Sequence, residues 1–188
     1  ELVVLPPGLT QHHAGGLGPR SQLRGIRLRR GAAIGAVRGR DEEVDDERDI
    51  TDGGAQVEQF FLNQLDVSAH PYFDRLRGLR VSAHFYIRRD GECVQFVSCL
   101  ERAWHAGESV WRGRANCNDF SVGIELEGLE GEGFEVVQYS RLCELLTSLA
   151  GPQGSIDVAG HEQVSAGRKA DPGCGFDWAR TVAALGWP

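Results

Sequence analysis

Residues Asn118–Gly128 read NDFSVGIELEG. Phe120, Val122, Ile124 and Leu126 alternate with Ser121, Gly123, Glu125 and Glu127, the period of two that separates the faces of a β-strand. On the polar face small residues flank Glu125, which leaves space for something to bind; the plain alternative for such a glutamate is a solvated face. Upstream, LRVSAHFYIRRDGECVQFVS (79–98) reads as two strands joined at Arg89-Asp90-Gly91, where Asp-Gly supplies the hairpin turn. VEQFFLNQL (57–65) carries a helical stripe of Val57, Phe60, Phe61 and Leu65. Downstream, a helix near Phe134–Ala150 turns Leu142, Leu145, Leu146 and Leu149 inward, and a closing helix from about Phe176 is capped by Asp177. ELVVLPPGLT (1–10) reads as a short strand entering a proline turn. Interleaved strands and helices imply an α/β fold, a central mixed β-sheet flanked by helices.

A chain of 188 residues suits one domain, and its 41% hydrophobic and 25% charged residues are ordinary for a soluble protein. A net charge of −7 argues against a surface that coats nucleic acid. No apolar run approaches the roughly 20 residues of a membrane span, and no segment has the pattern of a secretory leader. Neither nucleic acid nor membrane is expected as a partner, and a monomer is expected. The 5 cysteines are odd in number and form no CxxC pair, so they read as reduced thiols of a cytoplasmic protein. The chain holds no methionine, so Glu1 is not a native start. Arginine and glycine dominate from about 20 to 40, and acidic residues from 41 to 52. This aromatic-free run reads as an atypical insertion or unordered segment at about 11–54 within a single domain spanning 1–188.

The chemistry concentrates in GHEQVSAGRKADPG (160–173). Its glycines and Pro172 oppose a long helix. If Lys169 to Asp171 is extended, the two side chains project to one side, and His161 reaches the same point from the far end of the loop. Charges pairing within a solvated loop would be the plain explanation. A zinc hydrolase needs three protein ligands and an open position for water, whose pKa the metal lowers. A nearby carboxylate then carries the proton, and a cation stabilises the oxyanion. His161 and Asp171 fit the ligand role, Glu125 the proton carrier, and Lys169 the oxyanion partner. Cys174, just past Asp171, is either an outside candidate for the metal or a bystander thiol.

From about Gln56 to Trp178 the chain resembles the AmpD-type anhydromuramyl-L-alanine amidases of peptidoglycan recycling. These are zinc amidases related to phage lysozyme-amidases and peptidoglycan recognition proteins. The resemblance rests on AHPYFDRLRGLRVSAHFYIRRDGE, RAWHAG, CNDFSVGIELEG and GHEQVSAGRKADPGCGFDWAR. It implies an amidase-like single domain that uses zinc to hydrolyse the amide between (1,6-anhydro-)N-acetylmuramic acid and L-alanine. By the same resemblance His161 and Asp171 are zinc ligands, Glu125 the catalytic carboxylate and Lys169 the transition-state stabiliser. Arg80 and the segment Trp104-His105-Ala106-Gly107 would line the muropeptide cleft, although aromatic packing at a strand end also accounts for Trp104 and His105. His84, between core-like neighbours, reads as structural.

The resemblance fails at the N-terminus. The family places its first zinc histidine at the end of a strand of the form LLVVHN, whereas here ELVV runs into LPPG with Leu5 at that position. His12 or His13 is the nearby substitute. Without one of them the site has two protein ligands, and an inactive muropeptide-binding module lacking a complete zinc site becomes the alternative.

Overall fold

A six-stranded mixed sheet carries the fold in the computed structural model, which describes residues 1–6, 28–30, 54–129, 131–151 and 156–186. His12, His13 and nearly all of the 11–54 segment lie outside the described residues. In chain order the strands are β1 (Leu2–Leu5), β2 (Leu28–Arg30), β3 (Phe85–Ile87), β4 (Cys93–Gln95), β5 (Val110–Trp111), β6 (Arg114–Ala115), β7 (Val122–Leu126) and β8 (Asp157–Gly160). The helices are α1 (Gly54–Phe61), α2 (Val136–Ala150), α3 (His161–Val164) and α4 (Trp178–Leu185), with a 3-10 helix at Pro71–Leu76. Strands β5 and β6 form a hairpin of their own, and the main sheet runs β2-β4-β3-β7-β1-β8.

The mixed sheet expected from the sequence is present. β3 pairs parallel with β7, and β4 returns antiparallel to β3. The return uses the Arg89-Asp90-Gly91 turn, in which Gly91 has a φ of +81° that a side chain would disfavour. Its amide donates to Arg88 O at 2.9 Å. β1 lies between β7 and β8 and is antiparallel to both. LVVL is buried throughout, as a central strand with both faces covered should be.

One face of the sheet packs Leu2, Val4, Phe85, Ile87, Val122 and Ile124 against Leu142, Leu145 and Leu146 of α2. Those leucines are fully buried, and each stabilises the fold by about 1.5–3 kcal/mol relative to an exposed position. Gln138, also on α2, is buried without loss because its amide donates to Ile87 O and Glu127 O. Asp177 caps α4 by accepting from the Arg180 amide at 2.8 Å, as its position in the sequence predicts. The opposite face divides in two. Tyr86 and Val94 meet Phe60, Phe61 and Leu76, while Val3, Leu5 and Ala159 meet Ala106, Cys117 and Val164.

One local expectation needs correction. The stripe through 57–65 is not one helix: α1 stops at Phe61, Asn63 turns left-handed at φ 55°, and Leu65 joins the apolar cluster from the following loop. The 160–173 loop holds no long helix, and α3 forms a single turn at His161–Val164. Gln163 starts that turn by accepting from the Gly160 amide at 2.8 Å.

Candidate active site

Because β1 is antiparallel to both neighbours, its N-terminal end lies beside the C-terminal ends of β7 and β8. The registers Leu2↔Ile124 and Leu2↔Gly160 put Glu1 next to Glu125 on one side and His161 on the other. The His161 amide completes the ladder by donating to Glu1 O at 3.3 Å. Asp171 returns to the same point at the end of the loop that α3 begins, where its carbonyl accepts from the Glu162 amide at 2.9 Å.

His161 is buried and oriented from behind. Its Nε2 lies 3.2 Å from Ala106 O, a carbonyl that also accepts from Ser165 Oγ and Arg168 Nη2. With Nε2–H donating there, Nδ1 is the nitrogen turned inward. It lies 3.0 Å from Glu1 Oε2 and 3.4 Å from Asp171 Oδ2, yet no hydrogen bond is aligned on it. The Glu1 nitrogen donates to Asp171 Oδ2 at 2.8 Å and lies 4.0 Å from Glu125 Oε2. Glu1, His161 and Asp171 each present a donor atom within 4.8 Å of the other two. One imidazole nitrogen without an aligned partner and two carboxylates form a donor set that suits zinc.

The electrostatics of the metal-free cluster agree. Burial works against a charged His161, but the Glu1 and Asp171 carboxylates outweigh it and push the imidazole up to about 10. Burial alone would raise both carboxyls. His161 reverses this for both Glu1 and Asp171, so both sit well below the usual range. A metal ligand must give up its proton, so a cation bound here would take over the charge that His161 otherwise carries.

The neighbouring His84 behaves differently. Its Nδ1 accepts from the Gly123 amide at 3.1 Å, and its Nε2 lies 3.0 Å from Glu101 O. Burial first, and His105 second, push it down to about 3, so it is a neutral structural residue.

The segment Trp104–Gly107 is clamped to the 3-10 turn Cys117–Asp119 that precedes β7 and to Ser82 before β3. Asn118 Oδ1 accepts from the His105 and Ala106 amides at 3.0 and 2.8 Å, and the Trp104 amide donates to Ser82 Oγ. His105 and Ala106 are buried, and Trp104 is half-buried with the Arg102 guanidinium 3.4 Å over its ring. Gly107 has φ +54°, and a Cβ there would lie 2.8 Å from Arg168 Nη2, so glycine makes room for the guanidinium that backs His161. Arg80 is exposed, Lys169 is half-buried at the end of the turn closed by its amide on Ser165 O (3.1 Å), and Cys174 is exposed.

Residues 56–174 match the family of N-acetylmuramoyl-L-alanine amidases. The chain belongs to that family. The amidase is 47% identical over 135 residues to the 1,6-anhydro-N-acetylmuramyl-L-alanine amidase AmpD of Citrobacter freundii, a span covering 71% of this chain and 72% of the relative. The crystal structure of a selenomethionine AmpD derivative superposes with a TM-score of 0.66 at 46% identity, covering 70% of this chain and 75% of that one. At 28% identity and a TM-score of 0.51, covering 62% of this chain and 52% of that one, the amidase also resembles AmiD of E. coli. That protein was solved with the substrate anhydro-N-acetylmuramic acid-L-Ala-D-γ-Glu-L-Lys. The fold expected from the sequence is the one these structures share.

The sequence alone does not single out Glu1, Asn118, Ser165 or Arg168. For Glu1 a signal existed: an unbroken apolar LVVL marks a central strand, and the residue preceding it must lie at an end of the sheet. For Arg168 and Ser165 there was none, since both act through the carbonyl of a distant loop.

Proposed function

We propose that this amidase uses zinc held by His161 and Asp171 to cleave the amide between 1,6-anhydro-N-acetylmuramic acid and L-alanine in peptidoglycan fragments. It works as a cytoplasmic monomer built as one domain. The observation carrying this reading is the convergence of Glu125, His161 and Asp171 at one end of the sheet, where His161 Nδ1 is buried without an aligned partner. Support for the substrate comes from the AmpD relatives and from the muropeptide bound to AmiD. No helix among the described residues is long and apolar enough to cross a membrane.

Zinc, when bound, supplies a water acidic enough to attack at neutral pH and polarises the scissile carbonyl. Glu125, buried at the end of β7 beside Glu1, accepts the proton of the attacking water and delivers it to the departing L-alanine nitrogen. Lys169 brings an ammonium to the oxyanion that forms on the carbonyl. Arg80, Trp104 and Gly107 line the cleft, while His105 and Ala106 hold that wall in place through the Asn118 clamp.

The test is direct. Purified protein incubated with anhydromuramyl-tripeptide should release anhydro-N-acetylmuramic acid and free peptide, resolved by mass spectrometry. Chelation should stop release, and zinc should restore it. A folded, zinc-replete protein that binds the fragment without cleaving it would instead be an inactive binding module.

A further inference from the structure

Position 5 holds leucine, so the end of β1 supplies no histidine to the metal. The other end of the same strand is the one that reaches the cluster. We infer that the Glu1 carboxylate is the third protein ligand of the metal and that His105 is the positioning residue that aims it. This rests on the zinc reading above and completes the ligand set that His161 and Asp171 begin.

The two carboxylate oxygens of Glu1 have separate tasks. Oε2 faces His161 Nδ1 at 3.0 Å, inside the three-donor cluster with Asp171. Oε1 is 2.6 Å from His105 Nδ1, the length of a charge-assisted hydrogen bond. A carboxylate with one oxygen held by His105 and the other turned to the His161 imidazole inside the three-donor cluster is oriented for a cation. His105 itself is no ligand, because its Nδ1 is taken by Glu1 and its Nε2 lies 3.2 Å from Ser121 Oγ.

His105 cannot easily move. Its side chain is fully buried, its amide is fixed on Asn118, and its ring lies against Gly123, where an added Cβ would be 2.4 Å from His105 Cγ. The absence of a side chain at 123, read from the sequence as space for a ligand, is used to seat this ring. The Glu1 side chain is only 2% exposed, and a buried carboxylate is tolerated when opposite charge and hydrogen bonds compensate it. Once His161 gives up its proton to act as a ligand, the cation supplies that charge.

Zinc affinity, read by chelator competition on the full chain, tests the assignment without relying on turnover. Glu1→Gln keeps the size of the side chain and an oxygen for His105 but removes the charge. Loss of an outer partner costs roughly 10–100-fold in metal affinity, so loss of a direct ligand should exceed ~100-fold. His105→Ala should weaken zinc by about 10–100-fold, and His105→Asn, with an amide donor near the Nδ1 position, should recover part of it. A merely structural role for His105 would give no such recovery. Far-UV circular dichroism and thermal melts establish that each variant is folded, and Glu1→His, which returns an imidazole ligand, should bind zinc where Glu1→Gln does not. The His12→Ala/His13→Ala variant should retain wild-type affinity. Wild-type affinity in Glu1→Gln, with zinc abolished in His161→Ala, overturns the role of Glu1 and leaves the zinc reading intact. Zinc lost from the His12/His13 variant but not from Glu1→Gln overturns it likewise. A wild-type protein that never takes up zinc overturns both.

Discussion

The loop Gly160–Gly173 and the strand Leu2–Leu5 bring side chains to the same point, but the loop is held by bonds within itself and the strand by its neighbours alone. In the loop, Ser165 donates to His161 O at 2.8 Å, Glu162 to Asp171 O at 2.9 Å and Lys169 to Ser165 O at 3.1 Å. His161, Lys169 and Asp171 therefore keep their relation wherever the loop is placed. Glu1 has no such local frame. Its position follows from the pairing of β1 with β7 and β8, and a slip of one residue would move its side chain to the opposite face of the sheet. A site assembled from both kinds of segment has one part fixed by local chemistry and one part fixed by register.

The largest test of that division lies on β7, whose pairing with β1 sets Glu1 beside Glu125. Glu125→Gln should keep zinc and fold yet lower kcat by roughly 10²–10⁴, the usual worth of a positioned proton carrier. Steady-state kinetics beside a metal assay would check this, and near wild-type turnover would remove Glu125 from the chemistry. On the loop side, Lys169→Ala should reduce kcat by about 10²–10³ with little change in KM, because an oxyanion partner matters most in the transition state. A raised KM with unchanged kcat would make Lys169 a substrate clamp instead.

The same division explains what could be read from the sequence. His161 and Asp171 stand ten residues apart in a glycine-punctuated loop, and Glu125 sits on a strand with clean alternation, so local patterns pointed to all three. The α/β sheet was legible for the same reason, through the 79–98 hairpin and the leucines of α2. Glu1 was missed because its role depends on a strand order, β7-β1-β8, that joins residues more than a hundred positions apart. His105 carried an ambiguous signal. RAWHAG fitted a cleft wall equally well, and only the contact of its ring with Gly123 and its bond to Glu1 distinguish support from lining.

A smaller effect separates packing from placement on the strand side. In Gly123→Ala the new methyl would meet the His105 ring, and overpacking of this kind costs about 1–3 kcal/mol. Gly133→Ala is the matched control, since its nearest new contact is at 4.0 Å, and it should stay within ~0.5 kcal/mol of wild type. Urea denaturation of both variants would show the contrast; equal stabilities would mean that the ring yields and the strand side tolerates displacement.

The smallest effect sets the two buried histidines against each other as pH changes in the zinc-free protein. His84, on the strand side, is pushed down to about 3 from an ordinary 6.5, by burial first and His105 second. Between those values the unfolded chain binds the proton and the folded one does not, so stability should fall as pH drops below 6.5, by up to about 1.4 kcal/mol per pH unit. His161, on the loop side, is raised to about 10, because the Glu1 and Asp171 carboxylates outweigh its burial. Its contribution is complete below 6.5 and should be lost as pH climbs from there toward 10. The carboxylates of Glu1 and Asp171, held below their ordinary 4.5 and 3.8, add acid losses only beneath those values. Stability should therefore peak near pH 6.5, with an acid limb between 6.5 and 5 that belongs to His84. Urea midpoints measured from pH 5 to 9 would trace both limbs. His84→Gln should flatten the acid limb and leave the alkaline one, whereas an acid limb that persists in that variant would place the titrating group elsewhere.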